Sequence, residues 1–111
     1  MVDICVVGSG YVGLTLGAVL ADHFDVLLLD TDKEVIKSIN KGKAHFHETG
    51  LDELIQKNLG RSLQADVLKD PLSAEHYIIT VGTPLKEHIE TDLSQVTNVI
   101  YNILDSVSKS I

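Results

Sequence analysis

Gly8, Gly10 and Gly13 stand in the stretch "VVGSGYVGL" (residues 6–14), directly after an apolar run. Glycine tolerates positive φ and close backbone approach, and it is costly inside regular elements. The spacing G-x-G-x-x-G at the junction of a strand and a helix suggests one chemistry. A diphosphate needs donors without side chains in the way, and a helix N-terminus offers free N–H groups carrying roughly half a positive charge. Gly8 would permit the tight turn, Gly10 would let the backbone approach the phosphates, and Gly13 would let helix and strand pack closely. Ser9, Tyr11 and Val12 would supply mainly backbone amides, with the Ser9 hydroxyl as a further donor. A glycine turn that merely packs is the competing reading.

An acid belongs to the same pattern. The apolar run "FDVLLLD" ends at Asp30, twenty residues after Gly10. There a carboxylate can accept hydrogen bonds from the adenosine ribose hydroxyls of a dinucleotide. It would repel the 2′-phosphate of NADP, and the sole arginine, Arg61, lies far along the chain. NAD is therefore the expected cofactor. Ligands of open α/β sheets lie beyond the carboxyl ends of the strands, so "VGTP" (residues 81–84) is expected at the same cleft. Gly82 would clear space, the Thr83 hydroxyl would bond a ribose or phosphate oxygen, and Pro84 would stiffen the exit. Taken alone, this segment is equally an ordinary strand-ending turn.

These residues need a frame. "DICVVG", "FDVLLLD", "SLQADV" and "HYIITV" read as strands, the first two apolar on both faces as in a covered parallel sheet. "YVGLTLGAVLAD" reads as a helix whose Gly13, Gly17 and Ala21 form a smooth stripe for close packing on the sheet. In "TDKEVIKSINKG", Thr31 and Glu34 have capping-box spacing, Val35, Ile36 and Ile39 form an apolar face, and Gly42 is a stop signal. "LDELIQKNL" is a short helix, and Asp92 with Gln95 opens a last one. Its apolar stripe, running from Leu93 through Val96, Ile100, Ile103 and Leu104 to Val107, is expected in the core. Alternating strands and helices predict an α/β fold: a Rossmann-like parallel sheet of about four strands in the order 3-2-1-4, with helices on both faces.

Composition narrows the partners. The chain has 111 residues, 44% hydrophobic and 23% charged, with a net charge of −7, as for a single soluble domain. No cationic cluster suits nucleic acid or an anionic membrane surface, and no apolar run is long enough for a membrane span. Cys5 is the only cysteine, so no intrachain disulfide forms, and the cytoplasm is the expected compartment. Within the first strand Cys5 reads as a small hydrophobe. The "HFHE" stretch (His45–Glu48) lacks the further ligands that a zinc site requires and reads as exposed loop. "PLKEHIETD" (residues 84–92) reads as a solvated loop.

"GSGYVGL", "LLDTDKEVIKSINKG", "ETGLDEL" and "ITVGTPL", in that order and spacing, resemble the N-terminal NAD-binding domain of the nucleotide-sugar 6-dehydrogenases, which act on UDP-glucose and UDP-N-acetylhexosamines. The resemblance covers nearly the whole chain. It implies a two-step oxidation of the C6 hydroxyl of a UDP-sugar to a carboxylate with two NAD+, through a cysteine-bound thiohemiacetal and thioester, in an enzyme that is a homo-oligomer at full length. By position, Gly8 to Gly13 would hold the pyrophosphate, Asp30 the adenosine ribose, and Val81 to Pro84 the cofactor cleft. Glu48 matches the family's E-P-G-L segment, with Thr49 in place of proline, and shapes that loop. Val35 stands where the family often has a Lys or Arg on the adenosine side, with Lys33 nearby. The family's catalytic cysteine, lysine and asparagine belong to sequence beyond this region. The expectation is therefore a partial cofactor domain over residues 1–111, with no catalytic residue, that binds NAD without turnover. A non-catalytic NAD-sensing module of a transport system is the alternative, and a dehydrogenase of the 3-hydroxyacyl or 6-phosphogluconate type is a third reading.

Overall fold

Runs of valine, isoleucine and leucine with no polar interruption form strands only where both faces can be covered, and two such runs make the centre of this molecule. The computed structural model describes residues 2–68 and 74–80, together with Thr97, Ile100, Tyr101 and Leu104. Strands β1 (Val2–Val7), β2 (Val26–Asp30), β3 (Leu63–Val67) and β4 (Ala74–Ile79) alternate with helices α1 (Tyr11–Leu20), α2 (Lys33–Asn40) and α3 (Leu51–Asn58). All pairings are parallel and the order is β3-β2-β1-β4, as the alternation predicts. Val7 pairs with both Leu29 and Ile79, so β1, β2 and β4 end level with one another. The glycine turn and Asp30 emerge together at that end.

One face of the sheet carries Ile4, Val6, Val26, Leu28 and Leu63, packed against Leu14 and Ala18 of α1, Ile36 and Ile39 of α2, and Leu51 and Ile55 of α3. The opposite face presents Cys5, Val7, Leu27 and Leu29, with Leu68, Ala74, Tyr77 and Ile79 packed beside them. Helices α1, α2 and α3 pack on the first of these faces. Both α2 and α3 fall within the β2–β3 crossover, which leaves only residues 68–73 to connect β3 to β4.

Two local expectations are corrected. Asp32, not Thr31, caps α2: its carboxylate accepts from Glu34 N at 3.0 Å and Val35 N at 3.4 Å. The cap moves one residue because Asp30 Oδ1 holds the Asp32 N–H at 2.8 Å and so orients that residue. Ile100 and Leu104, expected in the core, are helical but 42% and 58% exposed. They share a helical face with Thr97 and Tyr101, and that face points outward. Asp92, Leu93, Gln95, Val96, Ile103 and Val107 lie outside the described residues, as does the 84–92 loop. Gly42 ends α2 as expected, with φ 84° and its N–H on Ile39 O.

The outer edge of β3 is closed by its own neighbourhood. Gly60 N donates to Leu63 O at 3.0 Å, Asn40 Nδ2 to Ala65 O at 3.3 Å, and Val67 N to the Asp66 carboxylate at 2.8 Å.

The stripe on α1 performs as its spacing suggests. A Cβ on Gly17 would lie 2.6 Å from Leu28 Cδ2, and one on Gly13 would strike the Gly8 carbonyl and the Thr80 hydroxyl. The first obstacle is the tip of a flexible side chain; the second includes backbone that cannot yield cheaply. Gly13→Ala is accordingly expected to destabilise the fold by about 1–3 kcal/mol and clearly more than Gly17→Ala, as read by urea denaturation.

Candidate functional site

The turn from β1 into α1 is fixed one peptide at a time. Gly8 has φ 105°, a conformation that side chains rarely adopt. Its N–H donates to Leu29 O at 2.7 Å, tying the turn to the end of β2. Its carbonyl accepts from the Thr80 hydroxyl at 2.9 Å, tying the turn to the end of β4. Thr80 N also donates to Val7 O at 2.8 Å. Next, Ser9 N donates to Asp30 Oδ2 at 2.8 Å, and Ser9 O accepts from His45 Nε2 at 2.6 Å. Gly10 then caps α1, its carbonyl accepting from Leu14 N at 2.9 Å.

What this leaves unengaged is the point of the arrangement. Among the described residues no acceptor takes the N–H groups of Gly10, Tyr11, Val12 or Gly13. The first turn of α1 has no acidic residue and no side-chain cap. A Cβ on Gly10 would meet nothing within 4 Å, and Gly10, Tyr11 and Val12 are exposed while Gly13 is buried. Unpaired N–H groups at the positive end of a helix dipole, on residues open to solvent, fit the diphosphate of a dinucleotide.

The predicted site residues divide accordingly. Gly8, Gly10, Tyr11, Val12, Gly13 and Asp30 come together at one end of the sheet, Tyr11 and Val12 being 57% and 63% exposed. Ser9 comes there too but not in the expected role. It is fully buried, its amide is held by Asp30, and its hydroxyl turns inward toward Leu29 O at 3.5 Å. A carboxylate directly beneath the turn captures the nearest N–H before any ligand can. Val81, Gly82, Thr83 and Pro84 lie outside the described residues.

Asp30 thus has a structural part of its own. Its two oxygens hold Ser9 N and Asp32 N, one on each side of the cleft, and each keeps a second lone pair for a hydroxyl donor. Two further features escaped the sequence reading. Thr80 gives a visible signal in retrospect, a hydroxyl closing an otherwise apolar strand. The "HFHE" stretch, expected to be plain exposed loop, folds back onto the turn. Phe46 packs on the Tyr11 ring with centroids 5.0 Å apart, His45 meets Phe46 edge-on at 4.9 Å, and the Tyr11 hydroxyl donates to Glu48 Oε2 at 2.6 Å. That carboxylate, holding the phenolic proton, raises the Tyr11 pKa above its ordinary value. Gly50, at φ 84°, then turns the chain into α3. Among the described residues no group of three His, Cys, Asp or Glu is placed to hold a metal.

Cys5 is 1% exposed, and burial pushes its thiol up to about 11. Protonated and shielded, it is no nucleophile near neutral pH.

Parallel strands in this order, a glycine turn with open helix-terminal donors, and an acid at the end of β2 define a dinucleotide-binding domain of Rossmann type. The chain belongs to the UDP-glucose/GDP-mannose dehydrogenase family, whose NAD binding domain model matches residues 2–110. It is 38% identical over 114 residues to a UDP-glucose 6-dehydrogenase of Rickettsia felis, covering 98% of this chain and 24% of that protein. A UDP-N-acetyl-D-mannosamine dehydrogenase of Campylobacter jejuni is 39% identical over 85 residues, 75% of this chain and 20% of the other. Among solved structures, the UDP-D-ManNAc dehydrogenase of Pyrococcus horikoshii superposes with a TM-score of 0.86 at 33% identity, over 94% of this chain and 25% of that one. The chain thus spans about a quarter of the length of these relatives.

Because Asp30 holds a buried amide, its loss acts before any ligand is present. Asp30→Ala leaves the Ser9 N–H unpartnered and is expected to cost about 1–3 kcal/mol of stability in ligand-free protein, measured by thermal or chemical denaturation. A residue serving the ribose alone would leave that value unchanged.

Proposed function

We propose that this chain is the cofactor-binding portion of an NAD-dependent nucleotide-sugar dehydrogenase, one that oxidises the C6 hydroxyl of a UDP-sugar to a carboxylate. The observation that supports the reading is the glycine turn: its carbonyls are held by the scaffold, while among the described residues no acceptor takes four consecutive N–H groups, three of them on exposed residues. NAD+ supplies the hydride acceptor in such a reaction, two molecules being consumed per sugar. The part of this chain is to bind and orient it. Gly10, Tyr11, Val12 and Gly13 donate backbone N–H groups to the diphosphate. Asp30 accepts from the adenosine ribose. Val81, Gly82, Thr83 and Pro84 are assigned to the cofactor cleft on the family resemblance.

Family membership and the names borne by relatives support the reaction class. Residues 1–111 act as one cofactor-binding unit, and the groups that touch the sugar belong to sequence outside it. With Cys5 buried and protonated, the described residues bind without turning over. Among the described residues no helix is long and apolar enough to cross a membrane. The cytoplasm, where a lone cysteine stays reduced, is the compartment that suits this reading, and a homo-oligomer is the state we assign to the complete enzyme.

Calorimetric titration tests the cofactor assignment. The chain is expected to bind NAD+ and to bind NADP+ roughly tenfold more weakly or worse, about 1.4 kcal/mol, because the 2′-phosphate meets the Asp30 carboxylate. Folded protein that shows no heat with millimolar NAD+ would overturn the reading. Equal affinity for the two dinucleotides would overturn the role given to Asp30.

A further inference from the structure

A trans peptide is planar, so its carbonyl and its N–H point in opposite directions. Whatever holds one of them therefore aims the other. Along the glycine turn, the Val7–Gly8 and Gly8–Ser9 peptides are held by groups from the ends of β2 and β4: Leu29 O, Asp30 and Thr80. The Gly10–Tyr11 peptide is held by α1 itself through Leu14 N. The Ser9–Gly10 peptide depends instead on a side chain from the α2–α3 connection, His45, whose Nε2 lies 2.6 Å from Ser9 O. Because a carbonyl can only accept, the imidazole carries its proton on Nε2 and donates. The same bond turns the Gly10 N–H away from His45, and Gly10 itself is exposed. Glycine on the C-terminal side of this peptide eases its rotation, and unlike the Val7–Gly8 peptide, whose carbonyl and N–H both have backbone partners, it is held at one end.

We propose that His45 is a positioning residue for the cofactor diphosphate: by holding the Ser9 carbonyl it keeps the Gly10 N–H aimed at the phosphate. Without it the peptide can turn over and present a carbonyl oxygen to the anion, exchanging attraction for repulsion. His45 is held in turn. Its ring meets the Phe46 ring edge-on, Phe46 packs on Tyr11, and Tyr11 is tied through its hydroxyl to Glu48. The 45–48 segment is thus a clasp from the α2–α3 connection onto the first turn of α1. It is exposed and outside both apolar clusters, except for Phe46, which is half-buried against the larger one. Its substitution at His45 therefore leaves the core intact. The proposal rests on the dinucleotide reading above and adds to it the residue that orients one donor.

The test compares the wild-type chain with His45→Phe, which keeps an aromatic ring without the donor, and His45→Gln, which keeps an N–H donor. His45→Ala, adding no bulk, repeats the first comparison. Each is titrated with NAD+, ADP and adenosine while the Gly10 amide is followed by NMR, thermal midpoints confirming the fold. His45→Phe and His45→Ala are expected to weaken NAD+ and ADP roughly five- to tenfold and leave adenosine within about twofold. Glutamine should recover most of the loss, and the Gly10 amide should shift with ADP in the wild type and far less in the donorless variants. Unchanged ADP affinity in both donorless variants would overturn the proposal, as would an equal loss for ADP and adenosine. A wild-type chain that binds none of the three would instead overturn the dinucleotide reading, and the role of His45 with it.

Discussion

The carboxylate of Asp30, with one backbone N–H on each oxygen, is the constraint on which this end of the molecule depends. Asp30 lies at the end of a buried strand, where an unpaired charge would be costly. The Ser9 and Asp32 amides satisfy it, and in doing so they join the glycine turn to the loop that follows β2. In the proposed function one of these receives phosphates and the other lies beside the adenosine. An acid at the end of β2 thus has a structural part that does not depend on any ligand. The geometry of α1, pressed onto the sheet through Gly13 and Gly17, follows from the same need to bring a helix terminus over the strand ends.

Much of this was legible in the residues. Unbroken apolar runs ended where strands end, glycine spacing marked the turn, and the alternation of elements gave the strand order correctly. Such signals are strong because they arise from short-range steric demands and from simple burial. What remained hidden depends on pairs distant in sequence. Nothing in "HFHE" announces that His45 reaches Ser9 or that Glu48 meets Tyr11, since those contacts exist only once α3 has docked beside α1. The Ser9 amide looked available for the same reason: its competitor, Asp30, is a neighbour across the sheet and not along the chain.

The errors in helix placement have a similar origin. Apolar periodicity tells which residues share a face of a helix but not what that face will meet. Leu14 and Ala18 meet the sheet, whereas Ile100 and Leu104, on an equally regular stripe, stand exposed. Capping spacing was off by one residue at α2 because a local bond, from Asp32 N to the Asp30 carboxylate two residues back, set where the backbone turned.

The closed edge of β3 has a bearing on how copies of this chain can meet. A strand whose outward carbonyls at Leu63 and Ala65, and whose outward amide at Val67, already have partners offers little to an incoming strand. Runaway edge-to-edge stacking needs two receptive borders on every molecule, one to accept and one to pass the pattern on. Here one border is shut by three short-range bonds. With these three groups engaged, the β3 border is a poor template for an added strand, so growth at both borders of the sheet is disfavoured.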